Sequence, residues 1–131
     1  MRGHYKDLLV WRKGMDLVHA IYLATELFPK RETYGLADQM RRAAVSVPSN
    51  IAEGQGYANR REFLRYLRHS RGSLFELETQ LRIATRLKYV DPAQSERLLQ
   101  NRDEISRMLS GLANSLKKLN ASAEELEPLR D

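Results

Sequence analysis

The residues most able to do chemistry in this chain are arginines grouped on one segment. Arg61, Arg65 and Arg68 follow the spacing i, i+4, i+7, which places them along one stripe of an α-helix. Guanidinium groups on a rigid helix suit phosphate oxygens and give affinity without reading base sequence. Tyr57 and Tyr66 add aromatic rings that can stack on bases. The predicted nucleic-acid-binding set adds flanking arginines and two from the preceding helix that could join them in space: Arg41, Arg42, Arg60, Arg61, Arg65, Arg68 and Arg71. The alternative interpretation is a solvated face partly neutralised by glutamates.

A second candidate lies where polar residues share a predicted helix with small apolar ones. Glu53 falls in the last turn of that helix, where the helix dipole favours cations, so its carboxylate needs a partner. Two interpretations stay open: a kinked helix whose polar groups are satisfied locally, or a ligand site. The segment's singled-out residues are Ser46, Pro48, Ser49, Asn50, Glu53 and Gly54.

Catalytic and metal-binding patterns are weak, and we expect a protein that is not an enzyme and binds no cofactor or metal. The absence of cysteine excludes disulfides, thiolate zinc sites and cysteine nucleophiles. Asp16 and His19 have the spacing of half a di-metal bundle site, but no second pair exists. Arg12 and His19 also fit the Arg-x(6)-His spacing of HEPN-type ribonucleases, a loose spacing that often arises by chance. A ribonuclease therefore remains an alternative function.

The overall composition is that of a small helical domain. The 131 residues are 42% hydrophobic and 30% charged, with 7 Gly and 4 Pro, which suits amphipathic helices and is too apolar for a disordered chain. Lys and Arg total 22 against 17 acidic residues, giving a net charge of +5 that is compatible with polyanion binding or with simple solubility. The N-terminus lacks the apolar core of a signal peptide, and no apolar run is long enough for a membrane span. We expect a cytoplasmic protein without membrane association.

Helical spacing of apolar residues and the positions of turn residues predict the elements that hold these candidates. The predicted fold class is all-α: an antiparallel up-down-up-down four-helix bundle with a second helix kinked at Pro48 and a long third helix. One domain is expected over residues 1–120, followed by a short acidic tail over 121–131. The predicted helices run from Leu8 to Phe28 after an Asp7 cap, from about Thr33 to the glycines at 54 and 56 in left-handed conformations, from Asn59 to about Lys88, and onward from an Asp91 cap.

The predicted third helix carries more apolar residues than one bundle face can hold. Its expected buried seam is Phe63, Leu67, Ser70, Leu74, Leu77, Leu81 and Ala84. Leu64, Tyr66, Phe75 and Ile83 fall off that seam and indicate a protein–protein surface, for which self-association is the simplest explanation. Gly72 interrupts the same helix and predicts close approach of a neighbouring helix. On the first helix Trp11, Met15, Val18, Tyr22 and Thr25, with Ile21 and Phe28 alongside, recur at helical spacing and form the expected apolar stripe.

Several stretches taken together resemble the "four helix bundle protein" family, also called the 23S rRNA intervening-sequence protein or S23 family. The longest is QMRRAAVSVPSNIAEG over Gln39–Gly54, and the resemblance extends from about Tyr5 to about Leu119. The other stretches that carry it are Tyr5–Lys13, Phe28–Pro29, Tyr34–Leu36 and Gly72–Leu81.

The resemblance implies properties that the residues alone do not. Family members form ring-like homopentamers of antiparallel bundles, and some are encoded within insertions in 23S rRNA genes. A related branch is the accessory variability determinant of diversity-generating retroelements, a basic pentamer that binds nucleic acid and a reverse transcriptase. By residue type and place, Arg41, Arg42, Arg65 and Arg68 match a basic binding surface. The expected function is a non-enzymatic pentameric scaffold for structured RNA or an RNA–DNA hybrid, with a protein-interaction hub, such as a reverse-transcriptase accessory subunit, as the alternative.

Overall fold

The computed structural model describes residues 4–57 and 59–126, with side chains described as far as residue 119. Over those residues the protein is helical throughout and contains no strand. The α-helices are α1 (Leu9–Glu26), α2 (Leu36–Gly56), α3 (Arg60–Arg86) and α4 (Pro92–Leu126), and two short 3-10 helices span Tyr5–Asp7 and Lys30–Glu32. The prediction of an all-α fold with four helices is confirmed. The backbone of α4 stays helical past the predicted domain boundary at residue 120, and the last residues of the predicted tail, 127–131, lie outside the described residues.

Each helix packs against its neighbour along the chain, and α1 closes the arrangement by packing against α4. Between α2 and α3, Ser70 Oγ donates to the Val47 carbonyl at 2.9 Å, while Gly54 lies against Phe63. These contacts run in opposite directions along the two helices, so α2 and α3 are antiparallel. Among the described residues the backbones of the diagonal pairs α1–α3 and α2–α4 do not approach each other closely, which is the arrangement of a four-helix bundle.

The core between the helices is mainly aliphatic. All seven residues of the predicted α3 seam are buried, which confirms that part of the pattern. The predicted stripe of α1 is confirmed in part: Thr25, Ile21 and Phe28 are buried, and Trp11 and Val18 pack against the core. Met15 and Tyr22, 45% and 40% exposed, were placed on the wrong face, because apolar residues of α1 also lie outside its buried face. The largest side chains that are fully buried are Leu17, Ile21, Met40, Ile51, Leu67, Leu74, Leu77, Leu81, Ile105 and Leu109.

Side chains cap the N-terminal ends of α3 and α4. Asp91 Oδ1 accepts from the Gln94 amide at 2.9 Å, so the predicted Asp91 N-cap is confirmed, and Asn59, the predicted first residue of the third helix, caps α3 by accepting from the Glu62 amide at 3.0 Å. The predicted Asp7 cap is wrong, because the first 3-10 helix takes in Asp7 and leaves Leu8 at the N-cap of α1 without a side-chain hydrogen bond.

Glycines in the bundle serve close contact rather than helix termination. The predicted left-handed stop at the end of α2 is wrong, since α2 continues to Gly56 and no described glycine has a positive φ. The prediction for Gly72 is also wrong: it is exposed, and a Cβ added there would meet nothing within 4 Å. Close approach occurs instead at Gly54, and at Gly14, where an added Cβ would lie 3.4 Å from the Pro48 Cβ. α2 continues through Pro48, and the kink stays a prediction.

Candidate nucleic-acid interface

One line of exposed residues runs along the side of α3 that faces away from the core, and we call it the α3 ridge. Successive members are separated by three or four residues, so they stand one above another on the helix. The first half of the ridge is basic. The second half, beyond Gly72, carries the apolar side chains Phe75 and Ile83 together with Thr79 and Arg86, and we call it the apolar half. The α3 ridge consists of Arg61, Arg65, Arg68, Gly72, Phe75, Thr79, Ile83 and Arg86, all of which are exposed.

The basic half of the ridge carries positive charge that the protein only partly neutralises. Arg65 donates from Nε and Nη2 to Glu62 Oε2 at 3.1 and 2.9 Å, and this hydrogen bond with its charge raises the pKa of Arg65. Arg61 and Arg68 have no acidic partner among the residues that the structure describes. Two exposed guanidinium groups, seven residues apart on one stripe, therefore remain available to anions.

The flanking arginines turn toward α4 instead of lengthening the ridge. Arg60 Nη1 donates to the Leu119 carbonyl at 3.4 Å. Arg71 is half-buried, and its Nε atom is buried without a hydrogen-bond partner within the described chain. The contact at Leu119 places Lys117 and Lys118, both exposed, beside the start of α3. The sequence analysis missed these two lysines because their position depends on the register of α4 against α3.

Arg41 and Arg42 do not join the basic half of the ridge, and the prediction that they would is wrong. Ser73 Oγ donates to Ser46 Oγ at 2.7 Å, which sets the level of α2 against α3. In that antiparallel register Arg42 is level with about residue 77, some nine residues or roughly 14 Å along the axis from Arg68. Register, which residue spacing within one helix does not contain, is the physical reason for the difference.

The contacts of these two arginines are also local. Arg41 Nε donates to Thr25 Oγ1 at 2.8 Å, and its guanidinium lies 4.6 Å from the centre of the Tyr22 ring, so α1 holds it. Arg42 Nε is 2.9 Å from Asp38 Oδ2 one turn earlier on α2. Both side chains line a shallow cleft between α1 and α2 that is separate from the ridge.

The polar segment of α2 satisfies much of its hydrogen-bonding capacity within the bundle. Asn50 Nδ2 donates to the Ser46 carbonyl at 2.7 Å and to Ser46 Oγ at 2.9 Å, and Ser46 Oγ also accepts from Ser73 on α3. Pro48 is buried against Gly14 of α1, whereas Ser49 and Glu53 are exposed. These bonds are the local satisfaction that the structural interpretation requires, and ligand binding by this segment stays a prediction.

Gly54 is the point of closest contact between α2 and α3. A Cβ added there would stand 2.8 Å from the Tyr66 Cβ and 2.9 Å from Phe63 Cδ1. Because Gly54 has no side chain, Tyr66 lies directly on the backbone of α2. Tyr57, just past the end of α2, stacks on Tyr66 with ring centres 5.5 Å apart and planes inclined by 12°. A hydrogen bond shared with the Tyr57 side chain is the main cause that raises the pKa of Tyr66, and burial is the second.

The residues considered for other chemistry lie along one exposed side of α1. Arg12 and His19 are both exposed on α1, two turns apart. The ribonuclease alternative therefore rests on their spacing, and loss of RNA cleavage in a His19→Ala variant is the result that would support it. Among the side chains that the structure describes, within residues 4–57 and 59–119, no three His, Cys, Asp or Glu residues form a group able to hold a metal ion. None of the described helices combines the length and the apolar character needed to cross a membrane.

The fold and this surface define a class: a four-helix bundle protein whose third helix presents a ridge that is basic at one end and apolar at the other. The sequence matches the family of the 23S rRNA-intervening sequence protein over residues 6–111, and the chain belongs to that family. The predicted membership is thus confirmed, while the relation to retroelement accessory proteins stays a prediction.

One solved structure shows the same fold. It is the 1.70 Å crystal structure of a protein with unknown function from the S23 ribosomal protein family of Bacteroides thetaiotaomicron VPI-5482. The TM-score is 0.73 at 23% sequence identity, over 80% of this chain and 98% of that chain. Comparison with curated proteins gives no match.

Proposed function

We propose that this protein is a non-enzymatic, oligomeric scaffold that binds nucleic acid, structured RNA or an RNA–DNA hybrid, through the basic half of the α3 ridge. The observation that carries the proposal is the pair Arg61 and Arg68, exposed on one stripe without an acidic partner within the described residues. Arg65, between them, keeps one side of its guanidinium on Glu62 and supplies a third cationic group.

Binding of this kind is electrostatic and does not require base recognition. Each phosphate that the protein neutralises releases counterions, so affinity falls as the salt concentration rises. The logarithm of the binding constant falls with the logarithm of the salt concentration, with a slope of about 0.9 per phosphate contact on duplex DNA and about 0.7 on single strands. A homopentamer, which the family resemblance implies, would present five copies of the ridge and convert weak single contacts into avid binding. The net charge of +5 per chain adds long-range attraction to a polyanion.

The test compares matched charge removals on purified protein. Structured RNA, single-stranded DNA and duplex DNA are titrated at two salt concentrations against the Arg61→Ala/Arg68→Ala double variant. The control is Arg42→Ala/Arg82→Ala, which removes the same charge from arginines that are ion-paired to Asp38 and Glu78. We expect the first pair to lower the duplex salt slope by about 2 and the control to lower it far less. Equal effects of both pairs would refute the ridge as the binding surface, and no binding by the wild-type protein would refute the proposed function.

Self-association is assigned in this proposal to the apolar half of the ridge. Phe75 is 56% and Ile83 45% exposed on this half of the ridge, and Leu87, just past the end of α3, is 50% exposed, so large apolar side chains face solvent in a single chain. Leu64 is half-buried and packs against the core, so a charge at that position would also disturb folding.

Ile83→Glu is therefore the sharper test, with Leu23→Glu on α1 as a control of similar exposure. We expect Ile83→Glu to reduce the solution mass toward the 15.2 kDa of one chain and Leu23→Glu to leave it unchanged. An oligomer of unchanged mass in the Ile83→Glu variant would exclude this face.

A protein-interaction hub is the second candidate function. A groove of about 630 Å³ lies beside the apolar half of the ridge, lined by Ile83, Leu87 and Leu99 together with Arg82 and Arg86. Such a groove fits an apolar helix with acidic flanks, as an accessory subunit of a reverse transcriptase would require. On this hypothesis, charge reversal at Arg65 and Arg68 leaves partner binding intact. If the variant no longer co-purifies with the partner, the nucleic-acid scaffold is favoured instead.

A further inference from the structure

Tyr57 and Tyr66 form a paired aromatic surface at the corner between α2 and α3, which we call the tyrosine platform. The two rings are nearly parallel, inclined by 12°, with centres 5.5 Å apart. Tyr57 remains 58% exposed, so one partner of the stack is open to solvent. Exposed tyrosines are ordinary, but one held flat against a second ring is a preformed stacking surface.

The platform is rigidly supported from below. Tyr66 sits on Gly54, where a Cβ would approach the Tyr66 Cβ to 2.8 Å, so the ring cannot sink further into the helix pair. The outer ring of Tyr57 lies nearly parallel to the inner ring, with the two centres 5.5 Å apart, so contact between the ring faces holds it in place. A rigid ring loses little conformational entropy when a flat ligand stacks on it.

The platform adjoins the basic half of the α3 ridge. The guanidinium of Arg65 lies 4.7 Å from the centre of the Tyr66 ring and is also held by Glu62. Arg61 and Arg68 stand one turn away on either side of Arg65. A cation for a phosphate and a ring for a base are therefore adjacent, as successive parts of one nucleotide are.

We propose that the exposed face of Tyr57 stacks an unpaired base of single-stranded nucleic acid while the flanking phosphates lie on the basic half of the α3 ridge. This inference rests on the proposed function and narrows it, because paired bases inside a duplex have no free face to offer the ring. Stacking of this kind contributes roughly 5- to 150-fold in affinity per base and tolerates any base.

The experiment separates base stacking from phosphate attraction. The probes are a fluorescent oligothymidylate and an abasic strand of equal length, which has the same phosphates and no bases. Tyr57→Leu removes the ring, Tyr57→Phe keeps it, and Tyr34→Leu alters a tyrosine that is 94% exposed at the opposite end of the bundle. We expect Tyr57→Leu to weaken oligothymidylate binding at least about 5-fold. Tyr57→Leu should still bind the abasic strand with nearly the wild-type affinity. Tyr57→Phe and Tyr34→Leu should bind oligothymidylate with nearly the wild-type affinity.

A second readout uses the unaltered protein and does not depend on how well a variant folds. Oligothymidylate carrying 5-iodouracil is photo-crosslinked to the wild-type chain, and the modified peptide is sequenced. Adducts on Tyr57 are expected. Adducts confined to other residues, or equal loss of both probes in Tyr57→Leu, would overturn the stacking proposal while leaving phosphate binding in place. If the wild-type protein binds neither probe, the stacking proposal fails, and the proposed function is decided separately by the titration with structured RNA and duplex DNA.

Discussion

Replacing Gly54 with alanine should destabilise the bundle, although alanine is the better helix former. The added Cβ would stand 2.8 Å from the Tyr66 Cβ and 2.9 Å from Phe63 Cδ1, with the Phe63 Cα at 3.4 Å. Carbon atoms without a bond between them are in favourable contact at about 3.5–4.0 Å, so α2 and α3 must separate locally by roughly 0.6–1.2 Å. Two of the three neighbours are a Cβ and a Cα, which move only with the backbone of α3.

The magnitude follows from two opposing effects. Overpacking of a filled interface costs about 1–3 kcal/mol, whereas exchange of glycine for alanine in a helix gains up to about 1 kcal/mol. The gain is smaller at Gly54 because α2 ends at Gly56, where the last turn is less ordered. We therefore expect Gly54→Ala to lower the free energy of unfolding by about 1–2 kcal/mol.

Gly72→Ala is the matched control on the partner helix. An added Cβ at Gly72 would meet nothing within 4 Å, and its φ is not positive, so only the helix-propensity gain applies. This variant should raise the free energy of unfolding by about 0.5–1 kcal/mol. Because Gly72 lies on the α3 ridge beside the proposed association face, the comparison must be made at equal protein concentration.

The assay is urea denaturation followed by helical circular dichroism, with the oligomeric mass determined for each variant. The two alanine variants should differ by about 2–3 kcal/mol, with Gly54→Ala the less stable. A Gly54→Ala protein as stable as the wild type would show that α2 and α3 separate without cost, and would refute the argument from close contact. A destabilised Gly72→Ala protein would instead show that the ridge is covered in the assembled protein.

Three further expectations concern single side chains. Arg102 is buried, and its Nε donates to the Leu74 carbonyl at 3.0 Å. In urea titrations Arg102→Ala should lower the free energy of unfolding by about 3 kcal/mol, whereas Arg102→Met, which keeps the apolar stem, should lower it by about 1 kcal/mol. Equal losses in the two variants would contradict this expectation. Asn59→Ala removes the α3 cap and should cost about 1 kcal/mol in thermal unfolding, with an unchanged midpoint as the contrary result. Tyr57→Phe removes the hydrogen bond that raises the pKa of Tyr66, so phenolate absorbance should titrate nearer the ordinary value of 10.0. Because the pKa of Tyr66 is raised in the folded protein, its contribution to stability is complete below pH 10.0 and is lost as the pH rises through the folded-state pKa. Between these two pH values the Tyr57→Phe variant should therefore lose less stability than the wild type.

The parts of the fold that could be predicted from sequence are those decided within one helix. The alternating spacing along α3 identified its seam because polar and small residues separate the apolar ones there, and Asn59 marked the start of that helix. α1 has no such contrast. Leu9, Met15 and Leu23 are exposed apolar residues on the same helix as the buried Leu17, so periodicity placed Met15 and Tyr22 on the wrong face.

Features that depend on two helices could not be predicted in the same way. The stripe of Arg61, Arg65 and Arg68 follows from spacing alone, but the separation of Arg42 from it follows from the register that Ser46 and Ser73 set. Gly54 illustrates the same limit, because its role requires knowing that Tyr66 lies opposite. A glycine near a helix end has the same appearance in sequence whether it terminates the helix or admits a neighbour.

The close pairing of α2 with α3 also has a consequence for the order in which the chain folds. The two helices are consecutive and are joined by residues 57–59, so their contacts close short loops at small entropic cost. The contact of Lys13 with Glu104, at 3.2 Å, joins α1 to α4 across most of the chain and needs nearly all of it to be synthesised. We expect the α2–α3 hairpin to form on its own first, with the side that will receive α4 still open as the polypeptide leaves the ribosome. Pulsed hydrogen exchange during refolding should then show amides of α2 and α3 protected before those of α4, and simultaneous protection of all four helices would exclude this order.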